Sequence, residues 1–214
     1  DLPWFRLREP GQKDKLLDYA YKVHKLCREV TPEGCYVTGS MGSLGHLLEP
    51  AGDLTLDELY EVYKVQVLVM AEAGVDMVRL SSDNPEDAKV AIKVVKDYSE
   101  LPIVILFGFD PTKRGFRTML GADPESIAEK MQQAHPDVIG LICGGTSPQE
   151  ATDVLKEMRE GWDGYLAAKP NAGIPELIEG KIIYPVTPEQ MVKEAPNWVA
   201  AGARLIGGCC GTTP

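Results

Sequence analysis

Residues 137–145 read DVIGLICGG, and this stretch decides between two ways of folding the chain. Its centre, Val138 to Ile142, has no apolar/polar alternation, so it reads as a strand buried on both faces, as in a parallel sheet. It ends on Cys143, Gly144 and Gly145, and a helix is expected from Pro148 to Glu160. A reactive side chain at a strand's carboxyl end is where α/β folds build their sites.

Five other runs repeat the pattern: CYVTGS (35–40), VDMVRLSS (75–82), PIVILFGF (102–109), GYLAAKPN (164–171) and ARLIGGC (203–209). Helical stretches separate them. The first, KLLDYAYKVHKLCREV (15–30), sets Leu16, Ala20, Val23 and Cys27 on one stripe. The next, LTLDELYEVYKVQVLVMAEAG (54–74), has Thr55 as N-cap, Glu58 closing a capping box, and Gly74 as its stop. Helices over 85–98, 124–134, 148–160 and 188–201 each open with proline, which suits a first helical turn.

Alternation of this kind means parallel strands with right-handed crossovers. An open doubly wound sheet would concentrate its site at one switch point. Here GSMGSLG, LSSD, GFD, CGGTSP, KPNAG and GGCCG follow six different strands, which is the pattern of a (β/α)8 TIM barrel. With about six of eight strands present, residues 1–214 are expected to be a single barrel domain truncated at both ends. The chain starts at Asp1 rather than Met and stops at TTP, where another helix would begin.

The 214 residues carry 22 basic and 32 acidic side chains, a net charge of −10, which argues against a nucleic-acid partner. The longest apolar run, 101–109, is far too short to span a bilayer, so no membrane partner is expected. Five cysteines form an odd set, Cys27, Cys35, Cys143, Cys209 and Cys210. Reduced thiols in the cytoplasm are expected rather than a disulfide framework. Cys27 and Cys35 read as buried, inert thiols.

No pair of histidines has metal-ligand spacing; His24 falls in a helix, His135 in a turn and His46 in a loop. GSMGSLG lacks the spacing of a dinucleotide fingerprint and reads as a tight strand-end loop. In GGCCG, adjacent cysteines on a regular strand would face opposite ways, but the glycines at 207, 208 and 211 permit both sulfurs to turn together. A barrel would bring Cys143 to the same mouth. Three readings of these residues stand: a tight turn with incidental thiols, a glycine phosphate cradle, or a three-thiolate metal site with one position open, the pattern of catalytic zinc.

VIGLIC (138–143), KPNAGIPELIEGKIIYPVTPEQ (169–190) and GARLIGGCCGTTP (202–214), with the glycine loop and helix of 37–76, resemble the homocysteine S-methyltransferase family, whose members include cobalamin- and betaine-dependent enzymes. The likeness runs from about Leu16 to Pro214. It implies zinc held by Cys143, Cys209 and Cys210, and a methyl transfer to a small-molecule thiol such as homocysteine, as in methionine biosynthesis. The methyl donor it implies is methylcobalamin on a corrinoid partner domain or protein, a betaine, or a sulfonium. The acceptor pocket is expected at Gly39, Ser40, Ser81 and Asn171, with no catalytic residue beyond the metal ligands.

Three departures stand out. Ile142 replaces the Asn usual before the first cysteine. RLSSDN has Ser81 and Ser82 near the place of a Glu-Thr pair whose acid the resemblance associates with the homocysteine amino group; Asp83 would replace it only with a shift of the loop. The family's first two strands are not present. Homocysteine is therefore expected to be a weak acceptor. Outside methyl transfer, the same residues would suit a non-catalytic zinc-binding barrel, or a redox protein cycling Cys209 and Cys210.

Overall fold

A computed structural model describes residues 11–42, 44 and 46–213. Ser43 and Gly45 of the glycine loop, and the terminal Pro214, lie outside the described residues. The elements are α1 (Lys13–Val30), β1 (Thr38–Gly42), α2 (Leu56–Ala73), β2 (Met77–Ser82), α3 (Pro85–Tyr98) and β3 (Ile103–Phe107). The short strands β4 (Asp110–Thr112) and β5 (Gly115–Arg117) precede α4 (Pro124–Ala134), β6 (Val138–Ile142), α5 (Glu150–Glu160) and β7 (Tyr165–Lys169). A second pair, β8 (Glu176–Ile178) and β9 (Lys181–Ile183), leads to α6 (Pro188–Ala200) and β10 (Ala203–Ile206).

The six longer strands form one parallel sheet in the order β1-β2-β3-β6-β7-β10. Each longer strand lies beside its predecessor in the chain, so there is no point at which strand order reverses. That is barrel order, not doubly wound order. The two antiparallel hairpins, β4–β5 and β8–β9, were not expected; both are short and β8–β9 is exposed throughout, so neither carries a buried-strand signal.

The chain forms two compact units. In the first, built on α1, β1, α2, β2 and most of α3, the fully buried Leu59, Tyr63, Val67 and Met70 of α2 make a core with Met41, Val78 and Leu80. Thr55 accepts from the Glu58 N–H and Glu58 reaches back to the Thr55 N–H, the expected capping box. Gly74 closes the helix with φ 79°. Gly39 faces α2: a Cβ there would lie 2.6 Å from Met70 Sδ, so this expected pocket residue serves the packing of β1 on the helix.

The α1 stripe differs from expectation. Leu16 and Ala20 are buried, but Val23 and Cys27 are exposed. The inward row continues along i, i+4 through half-buried His24 and Arg28, because Arg28 pairs with Asp76 at 2.7 Å and Asp76 also accepts from the Val37 N–H. Cys35 is exposed as well: it closes a turn onto Pro32, and the strand starts three residues later, at Thr38. Both thiols thus lie at the surface rather than in a core.

The second unit comprises Asp83–Pro85 and the chain from Ile105 onward. Its β6 is buried at every position, and Ile139, Leu141, Leu166 and Ala168 pack with Ile127 and Met131 of α4 and Val154, Leu155 and Met158 of α5. Asp123 and Thr187 cap α4 and α6, each followed by proline. No helix among the described residues is long and apolar enough to cross a membrane.

Candidate metal centre

Where β6 ends, the chain reverses sharply. Cys143 takes φ 51° and Gly144 takes φ 69°, two left-handed residues in succession. A side chain at Gly144 would run into the Phe109 carbonyl, so only glycine permits this turn. The Cys143 N–H still donates to Lys169 O at 3.2 Å, holding the cysteine against the end of β7.

The second cysteine loop is tied to the same segment. Past β10, Gly207 N donates to Ala168 O and Cys209 N to Pro170 O, both at 3.0 Å, and Ala172 N donates to Cys210 O at 2.9 Å. Thr212 closes the turn by donating its hydroxyl to Cys209 O at 2.7 Å. Gly211 has φ 77° and lies under the Tyr184 ring. Residues 168–172 therefore form a common spine for both loops. Asn171 joins them directly: its Nδ2 donates to Gly144 O at 3.0 Å, and its Oδ1 accepts from Cys210 N at 3.1 Å.

Three sulfurs converge as a result. Cys143 Sγ lies 2.7 Å from Cys209 Sγ and 3.7 Å from Cys210 Sγ, and the last pair is 3.9 Å apart. Burial, with the neighbouring Cys209 and Cys210 thiols, pushes the Cys143 thiol up to about 12. A metal cation would remove that penalty by replacing the protons. Zinc–sulfur bonds of about 2.3 Å imply tetrahedral sulfur–sulfur edges of about 3.8 Å. Two of the three edges already have that length, and the third needs to open by about 1 Å. Three soft sulfur donors at these separations fit zinc.

Ile142, before the first cysteine, is buried. Near it, a Cβ on Gly108 would lie 3.1 Å from Asp83 Oδ1 and 3.5 Å from Ile142 O, so Gly108 lies between the Asp83 carboxylate and the end of β6. Burial and the charge of Asp110 raise the Asp83 pKa above the usual 3.8, partly offset by a hydrogen bond from the Gly108 backbone. Asp110 itself accepts from Gly145 N at 2.6 Å. Tyr184 is raised above its ordinary value by burial and by the adjacent Cys210 and Cys143 sulfurs.

Among the residues expected at the site, the structure brings together Cys143, Cys209, Cys210 and Asn171. Ser40 and Ser81 belong to the first unit, on the sheet face away from Met70. Asp110, Thr212 and Tyr184 were not foreseen; the only signal for any of them was their presence in GFD, GGCCGTTP and KIIYP. A cavity of about 610 Å³ lies beside the second loop, lined mainly by apolar groups including Met191, Val192 and Trp198, and by none of the three cysteines. His46 is exposed and pairs with Asp53 at 3.2 Å, outside this centre.

A barrel-ordered sheet carrying three clustered thiols at its strand ends defines a candidate metal-binding protein. Residues 6–214 match the family model described as homocysteine S-methyltransferase, and the chain belongs to that family. It is 26% identical to the methionine synthase of Mycobacterium leprae (strain TN) over 94% of its own length, and spans 17% of that protein. In fold it is similar to the homocysteine methyltransferase MmuM from Escherichia coli. The apo form matches with a TM-score of 0.68 and 20% identity, over 100% of this chain and 79% of that one. The oxidized form matches with a TM-score of 0.71 and 18% identity, over 99% and 72%. The carboxyl transferase domain of Rhizobium etli pyruvate carboxylase also matches, at a TM-score of 0.57 and 14% identity over 89% of this chain and 29% of that one. The fold is thus the partial barrel expected, and a fold shared across such different proteins does not specify chemistry.

Proposed function

We propose that this chain moves a methyl group from an activated donor to the sulfur of a small thiol, at a zinc held by Cys143, Cys209 and Cys210. The convergence of these three sulfurs within 4.8 Å, on loops tied to one backbone spine, carries the reading. Zinc, when bound there, supplies the Lewis acidity that keeps an acceptor sulfur ionised at neutral pH.

The chain's own groups do the positioning. Asn171 fixes the distance between the two cysteine loops, and Thr212 holds the carbonyl of Cys209, so the ligand set is arranged before any substrate arrives. Half-burial of Cys143 keeps water from one side of the cluster. The acceptor is a small thiol, homocysteine or an analogue of it. Methylcobalamin on a corrinoid domain or protein, a betaine and a sulfonium are the donors to screen. Zinc stoichiometry on the purified chain, followed by methyl transfer to a panel of thiols, tests this. About one zinc per chain and chelator-sensitive turnover are expected; full turnover after exhaustive chelation would overturn it.

The 2.7 Å approach of Cys143 and Cys209 supports a second reading, a dithiol that gives up two electrons and two protons to a disulfide oxidant. Its pair would be Cys143 and Cys209, since Cys209 and Cys210 are 3.9 Å apart. Metal-free protein active in thiol–disulfide exchange would favour it.

A further inference from the structure

We infer that Arg79, on β2, is the charged centre of a binding site for a small organic carboxylate in the first unit. Ser40 and Ser81 are also residues expected to line the acceptor pocket, but the site holds none of the three cysteines, so its test does not depend on a bound metal.

Arg79 lies directly opposite Ser40 in the β1–β2 register, and alternation places both on the sheet face away from α2, since the neighbouring Gly39 faces Met70. Its Nη2 donates to Ser40 Oγ at 2.5 Å, which fixes the plane of the guanidinium. Its Nε is buried and has no acceptor among the described residues. No carboxylate among the described residues pairs with it, although the chain as a whole has ten more acidic than basic side chains. Other arginines of the chain are engaged differently: Arg28 has Asp76, and Arg159 donates to the carbonyls of Trp162 and Gly164. A permanently charged, partly buried group without a counter-charge is costly to keep, and an anion from outside removes that cost.

The surroundings suit a carboxylate. Ser81 lies two residues further along the same face, and its hydroxyl has no hydrogen-bond partner among the described residues. The residue paired with Ser81 is Gly42, which adds no side chain of its own there. The outer edge of the guanidinium, Nη1 with the second proton of Nη2, presents two parallel donors spaced for the two oxygens of a carboxylate. Ser81 Oγ adds a third. A spherical anion matches this planar fork poorly, so the site discriminates by shape as well as charge.

Side-chain NMR of the 15N-labelled full chain, titrated with acetate at constant ionic strength, tests the proposal. The Arg79 guanidinium signals should shift saturably, with a dissociation constant of about 1 mM or below, whereas chloride should leave them unmoved. Calorimetry should show binding at least about tenfold weaker in Arg79→Gln, and Arg79→Lys should fall between, because an ammonium keeps the charge but loses the fork. A parallel titration with 3-mercaptopropionate distinguishes sources. Equal affinity marks a site for free carboxylates, and markedly tighter binding marks one for a carboxylate borne by a thiol. Linear, unsaturating shifts with acetate, or an equal response to chloride, would overturn the proposal on wild-type protein alone, whether or not the variants fold.

Discussion

The side-chain oxygen of Asn171 accepts the backbone N–H of Cys210 at 3.1 Å, while the same carboxamide holds Gly144 O at 3.0 Å. One side chain thus sets the separation of the loops that carry Cys143 and Cys210. Asn171→Ala should lower zinc affinity about 10- to 100-fold, the usual effect of losing a group that orients metal ligands. Asn171→Asp should do nearly as much, since it cannot donate to Gly144 O. Competition against a chromogenic chelator reads this directly. Unchanged affinity in both variants would remove Asn171 from the positioning role.

Cys27 and Cys35 are exposed, and the other three cysteines form the cluster. In zinc-loaded protein, iodoacetamide should therefore modify Cys27 and Cys35 first, with Cys209 and Cys210 becoming reactive after chelation. Changing any one of Cys143, Cys209 or Cys210 to Ala should abolish metal binding and methyl transfer together. Cys27→Ala and Cys35→Ala should retain both. Peptide mapping of the label would contradict the assignment if the same cysteines reacted before and after metal removal.

Homocysteine should be a weak acceptor, because Ser81 and Ser82 stand near the place of the family's acid and Ile142 is apolar. An ammonium group without a carboxylate partner loses about 1–3 kcal/mol. 4-Mercaptobutyrate, which lacks the amino group, should then be methylated about as well as homocysteine. Asp83, across Gly108 from Ile142 O, offers the contrary outcome. A strong preference for homocysteine that disappears in Asp83→Asn would assign the ammonium to Asp83 and defeat the expectation.

In the first unit, buried Asp87 accepts from Tyr63 Oη at 2.6 Å and Ser82 Oγ at 2.9 Å. Burial nevertheless raises its pKa above the ordinary 3.8, and the two hydrogen bonds only partly oppose this. The folded state therefore binds the proton more tightly than the unfolded chain does. The stability this group contributes is complete below about pH 3.8 and is lost as pH rises through the folded value. Asp87→Asn should flatten that part of the pH profile in urea unfolding. Tyr63→Phe should cost about 1–2 kcal/mol and steepen it. A profile identical in wild type and Asp87→Asn would rule the effect out.

Much of the fold was legible because its signals are local. Thr55 with Glu58, Gly74, and the prolines at 85, 124 and 188 act on their own turns, and the helices start or stop where these residues stand. The buried strands showed themselves as unbroken apolar runs. Val23 and Cys27 were misread because a helix carries two candidate inward rows that cross at Leu16 and Ala20. The choice between them depends on Arg28 reaching Asp76, 48 residues away. The β8–β9 hairpin escaped notice because its apolar residues, such as Leu177 and Ile182, face outward, so no buried-face pattern marks it.

By itself, the sequence determined the alternation of strand and helix, most helix ends, the family likeness and, through that likeness, the three thiols that cluster, since each depends on short-range chemistry or on recognisable motifs; the helix expected from Pro148 starts instead at Glu150. Only the tertiary structure decided what those residues touch. It made Asn171 a clamp between the cysteine loops, put Gly39 against Met70, turned Cys27 and Cys35 to the surface, and left Arg79 with no paired carboxylate among the described residues. Contacts of this kind join residues distant in the chain through strand register and the sharing of buried volume, and no local pattern encodes them.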